Sequence, residues 1–111
     1  MDIKIKINLK GRHVIVAFYE ILGIFYERSK KLDDDLEALI YTFAALDAFN
    51  NMALKVERNI CKDKLTLTVK PHEALILLHY NLNSGSSLHD AVFNGIVMDI
   101  HKQMTGIIRI N

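Results

Sequence analysis

Two stretches of this chain carry the same pattern, and that repetition limits its fold more than any other feature. Residues 4–22, KIKINLKGRHVIVAFYEIL, lie over residues 64–82, KLTLTVKPHEALILLHYNL; past a longer first linker, LEALIYTFAALDAFNNM at 36–52 lies over LHDAVFNGIVMDIHKQM at 88–104. Leu36/Leu88, Asp47/Asp99 and Met52/Met104 are identical across the overlay, as are Lys4/Lys64 and Lys10/Lys70 in the strands, while Ile40/Val92, Tyr41/Phe93 and Leu46/Met98 are similar. Each unit reads as an alternating strand followed by two helices, too small to keep an apolar face dry alone. The pattern predicts an α+β, mostly helical fold of two tandem pseudo-symmetric β-α-α units with a short C-terminal strand. Unit one covers about residues 2–58 and unit two about 64–104, within a single domain spanning 1–111.

Local signals fill in the elements. Ile3, Ile5, Ile7 and Leu9 alternate with Lys4, Lys6, Asn8 and Lys10, which gives a strand with one dry and one wet face. Leu65, Leu67 and Val69 alternate with Thr66 and Thr68 in the same way. Between Val14 and Tyr26 the only charge is Glu20, and His13, Glu20 and Glu27 recur every seven residues as a narrow polar stripe, opposite Val14, Phe18, Ile21 and Phe25. A hairpin turning at Lys10-Gly11 competes with the helix there, because Val14-Ile15-Val16 favours a strand. The seven-residue recurrence runs past Tyr19, beyond the length of an average strand, and favours the helix. Asp33-Asp34-Asp35 caps a helix reaching about Arg58, and Pro71 opens the next from a position where its missing N–H costs nothing. Asn83-Ser84-Gly85 breaks that helix, Ser87-Leu88-His89-Asp90 reads as a capping box for the last, Gly106 closes it, and Ile107–Ile110 reads as the terminal strand.

Composition removes several function classes. Fourteen basic residues stand against thirteen acidic ones, so no global charge points to nucleic acid or to a membrane surface. The apolar run at 14–26 is well short of the ~20 residues a membrane span requires. A lone cysteine, Cys61, allows no internal disulfide and suits a cytoplasmic setting, or a phage particle if the source is viral. His13, His72, His79, His89 and His101 include no pair three or four apart, so no metal or other cofactor is expected. Asp47 and Asp99 occupy equivalent places beside apolar stripes and call for edge positions or cationic partners rather than a catalytic site. Phe43 matches Gly95 across the units, which predicts close packing of two helices there and overpacking in Gly95→Leu.

Residues 64–104 resemble a ribbon-helix-helix unit: an alternating strand, a helix opened by Pro-x-Glu (Pro71-His72-Glu73), a Gly-Ser turn and a second helix; residues 4–52 resemble it more loosely. The resemblance implies that two such strands pair antiparallel and enter the DNA major groove, with Lys4, Lys6, Asn8, Thr66 and Thr68 as the DNA-facing residues. Three aspartates at 33–35 would repel a phosphate at the start of the second helix, and the net charge is near zero. The first expectation is therefore a non-enzymatic protein–protein or assembly subunit, such as an accessory component of a phage-like particle, that buries Phe18 and Phe25 of its apolar first helix against itself or a larger assembly. A ribbon-helix-helix-like regulator binding duplex DNA through the outward strand face is the alternative.

Overall fold

The computed structural model describes residues 3–30, 35–83 and 85–108. In chain order the elements are β1 (Ile5–Lys10), α1 (Arg12–Ser29), α2 (Leu36–Glu57), β2 (Lys64–Val69), α3 (Pro71–His79) and α4 (Ser87–Ile108). The fold is α+β and mostly helical, with one two-stranded antiparallel sheet. Ile5, Ile7 and Leu9 of β1 and Leu67 and Val69 of β2 turn inward, and their neighbours turn out to solvent, as period-two patterning requires.

The helical alternative holds for residues 12–29. Val14 and Ile15 donate their N–H groups to the Gly11 carbonyl, so the helix starts at once after β1. Ile15, Phe18, Ile21, Leu22 and Phe25 are buried at three- and four-residue intervals, while His13, Glu20 and Glu27 form the exposed stripe. This apolar helix is covered from within the chain, by α2 on one side and α4 on another. Phe18 and Phe25, expected at an oligomer interface, are 0 % exposed and lie in the molecule's own core, so they offer nothing to a partner.

Helix α2 is capped by Asp35, whose side chain accepts from the Glu37 N–H, and ends at Arg58. Asp33 and Asp34, expected in the same cap, lie outside the described residues. Pro71 stands at the start of α3, and the Glu73 carboxylate accepts the Lys70 N–H at 2.9 Å. α3 stops at His79, earlier than the Asn83-Ser84-Gly85 break, of which Ser84 lies outside the described residues. Tyr80 leaves the helix extended; its ring packs on Phe25 and Phe49, and its hydroxyl meets Ser29 Oγ at 2.6 Å. Nine residues in α3 against eighteen in α1 make the two halves unequal.

At the start of α4 the cap falls one residue earlier than expected. Ser86 Oγ accepts from the His89 N–H, and the Ser86 carbonyl accepts from Asp90. α4 then runs through Gly106 to Ile108, so residues 107 and 108 are helical where a strand was expected; Arg109 and Ile110 lie outside the described residues. A single glycine costs a helix only about 1 kcal/mol. Gln103 also already takes both pairing groups of Lys6 on the free edge of β1, which removes a docking place for a third strand.

Gly95 does not face Phe43. A Cβ added at Gly95 meets nothing within 4 Å, and Phe43 is 61 % exposed, so the expected overpacking of Gly95→Leu fails for lack of a neighbour. Gly95→Ala should instead stabilise the protein by about 0.5–1 kcal/mol through helix propensity, read as a higher denaturant midpoint.

Candidate nucleic-acid interface

The ribbon is held in one register: Ile5 opposite Val69, Lys6 opposite Thr68, Ile7 opposite Leu67, Asn8 opposite Thr66, Leu9 opposite Leu65 and Lys10 opposite Lys64. The Gly11 N–H donates to the Asp63 carbonyl at 2.7 Å and adds a rung at one end. One step beyond the other end, the same register brings Lys4 opposite Lys70, and both border one cleft. The outward row is therefore Lys4, Lys6, Asn8 and Lys10 on one strand and Lys64, Thr66, Thr68 and Lys70 on the other, all exposed. Neither strand carries an acid. All five residues expected to face DNA are brought together here: Lys4, Lys6, Asn8, Thr66 and Thr68. At the centre, the Thr66 hydroxyl donates to Asn8 Oδ1 at 3.0 Å, which leaves the Asn8 amide nitrogen as a donor.

Two side chains fix the ribbon on its helical base. Rungs alternate in an antiparallel pair, and the Gly11 rung shows that Lys6, Asn8 and Lys10 turn their backbone groups away from β2. Gln103 of α4 takes both such groups of Lys6: its Oε1 accepts the Lys6 N–H at 2.8 Å and its Nε2 donates to the Lys6 carbonyl at 2.7 Å. Asp99 Oδ2 accepts from the same Gln103 nitrogen at 3.2 Å. On the opposite edge Lys55 of α2 donates to the Thr68 carbonyl at 3.2 Å. Neither contact follows from local patterning, because each partner lies on a different element.

Beside the Lys4–Lys70 end is an open cleft of about 520 Å³ bordered by Lys4, Lys55, Arg58, Thr68, Lys70 and Glu73, among others. A smaller groove of about 250 Å³ runs between β1 and α4, with Gly95 and Asp99 on its wall. Asp47 is exposed on α2 and Asp99 is engaged with Gln103, so neither meets a histidine. His89 Nε2 instead contacts Glu20 Oε1 at 3.2 Å, between α4 and α1. Among the described residues no three His, Cys, Asp or Glu side chains are grouped to hold a metal. Away from the ribbon, the Tyr41 phenol is pushed up from its ordinary value, first by partial burial and second by the neighbouring Tyr80. Among the described residues no helix is long and apolar enough to cross a membrane.

No protein-family model matches the chain, and neither a curated protein nor a solved structure matches it.

Proposed function

We propose that the protein is a non-enzymatic binder of duplex DNA that lays its ribbon in the major groove. The observation that carries this is the outward face: five lysines, one asparagine and two threonines with no acid on either strand. Lys10 stands directly opposite Lys64, and like charges so placed oppose pairing. A polyanion lying over the face would turn that repulsion into attraction. A two-stranded ribbon fits the major groove, and Asn and Thr at its centre can hydrogen-bond base edges while lysines at both ends meet phosphates.

The register also supports reading the chain as two ribbon-helix-helix-like units in tandem. The sequence overlay that matches Lys4 with Lys64 matches Ile7 with Leu67. Those two residues face each other across the ribbon, as a two-fold axis at its centre requires. DNA binding takes precedence over assembly because the two phenylalanines that carried the assembly expectation are internal. One observation still favours a protein partner as a second reading: Leu36, Ile40 and Phe43, spaced along one face of α2, are all more than half exposed.

Fluorescence anisotropy with a random-sequence duplex between 50 and 200 mM salt tests the proposal. Affinity should fall linearly on a double-logarithmic plot, with a slope of about −0.9 per phosphate neutralised. Replacing Lys6, Lys10 and Lys64 together by glutamine should make that slope shallower by roughly 2–3. A wild-type chain that ignores DNA at 50 mM salt and scatters light as an oligomer would sink the proposal and favour the apolar face of α2.

A further inference from the structure

We infer that the cleft between the C-terminal part of α2 and the Lys4–Lys70 end of the ribbon is a phosphate-binding site, a conclusion that rests on the DNA-binding proposal for the source of that phosphate. Four cationic residues border it from three separate parts of the chain: Lys4 before β1, Lys55 in α2 with Arg58 at its C-cap, and Lys70 after β2. None of the four is within ion-pair distance of a carboxylate among the described residues, where Lys30 pairs with Glu27 and His89 contacts Glu20. Among the described residues Glu73 is the only acid on the cleft wall, and it is 5 % exposed and turned to the Lys70 N–H, where it caps α3.

Charges of one sign gathered around a concave surface repel each other, and their field is focused into the space between them. The arrangement is also partly fixed in advance. Lys55 is tethered to the Thr68 carbonyl at 3.2 Å and keeps further N–H donors for a ligand. Arg58 brings a planar fork that matches two oxygens of a phosphate, and Asn51 adds an amide on the same wall. At about 520 Å³ and open to solvent, the space exceeds a lone phosphate ion and suits one still esterified in a chain. Its place beside one end of the ribbon is where a sugar–phosphate strand flanks a ribbon seated in the major groove. This cleft would therefore hold register on the backbone, whereas Asn8, Thr66 and Thr68 face the bases.

The double substitution Lys55→Gln with Arg58→Gln tests the assignment in two arms. In the first, the variant's salt slope on duplex DNA should be shallower than wild type by about one to two, with the same loss of affinity on every sequence tried, and Arg58→Gln alone, which keeps the Lys55 tether, should lose about one with no fall in thermal midpoint. In the second, inorganic pyrophosphate is titrated at constant ionic strength and amide shifts are followed; saturable shifts at residues 55–58 that vanish in Arg58→Gln mark free phosphate as the source. Either result supports the site and names its ligand. An unchanged slope together with no saturable pyrophosphate binding overturns it. If the wild-type chain binds no DNA at all, the proposed function fails by itself, and the pyrophosphate arm alone decides the cleft.

Discussion

Phe25→Ala is expected to destabilise the protein by about 3–5 kcal/mol and to lower its thermal midpoint by roughly 15 °C. Phe25 is completely buried, and its ring lies 5.5 Å from Phe49 of α2, 5.2 Å from Tyr80 after α3 and 5.1 Å from Phe93 of α4. One side chain on α1 thus touches a ring contributed by or next to each of the other three helices. Truncation forfeits the transfer energy of the ring and leaves a cavity that three differently anchored neighbours cannot all collapse into. Tilted and edge-on aromatic pairs add about 0.5–1.5 kcal/mol each beyond area burial. A loss of this size is a large part of the roughly 5–15 kcal/mol that stabilises a domain. Calorimetry over a range of protein concentrations separates this role from an interface role. A core residue gives a midpoint drop that is the same at every concentration. An unchanged midpoint in dilute solution, with loss of an oligomer by light scattering, would return Phe25 to an interface.

That contrast marks the limit of what patterning can tell. The seven-residue recurrence of His13, Glu20 and Glu27 was enough to identify α1 as a helix needing cover on most of its circumference. It could not tell whether α2 and α4 or another molecule supplied the cover, because apolar surface has no address. The face of each strand was legible for the opposite reason. Period two leaves no freedom once Ile5, Ile7 and Leu9 face inward, so Lys4, Lys6 and Asn8 must face outward. Nothing local marks Lys55 and Arg58, since only the tertiary fold carries the end of α2 to the ribbon. At the C-terminus, Ile107 and Ile108 read as strand by β-branching, yet they continue a helix already some twenty residues long, whose propagation outweighs a small difference in propensity. Tyr80 shows the same override at the end of α3, where an aromatic cluster and a hydroxyl contact draw the residue out of the helix.

The candidate site depends on the ribbon keeping its shape although both of its strands are edges. A lone two-stranded ribbon is marginal in water, and this one adds opposed lysines. Its inner face is stabilised by burial of Ile5, Ile7, Leu9, Leu67 and Val69, and its outer edges are tied to α4 by Gln103 and to α2 by Lys55. The edge contacts keep both backbone groups of Lys6 and the carbonyl of Thr68 from pairing with another strand. They also fix the backbone from which the exposed lysines project, which lowers the ordering cost when a ligand binds.

The far end of the ribbon depends on one backbone conformation, and Gly11→Ala should cost about 1–3 kcal/mol. Gly11 sits at φ 106° and ψ 138°, a left-handed extended region closed to residues with a Cβ. That conformation lets the chain turn from β1 into α1 within a single residue while its N–H still reaches the Asp63 carbonyl at 2.7 Å. A Cβ there would come within 2.8 Å of His13 Cε1, but the His13 ring is exposed and free to swing aside. The backbone, rather than the contact, therefore sets the cost. Urea denaturation of Gly11→Ala, alone and combined with His13→Ala, separates the two causes: the double variant should be nearly as unstable as the single one. Amide exchange at Leu9 and Leu65, the next hydrogen-bonded pair of the ribbon, should quicken in both, because the rung that closes their end is strained. Full recovery on removing the His13 ring would mean that the clash and not the dihedral governs this turn, and the end of the ribbon would then be free to accept side chains.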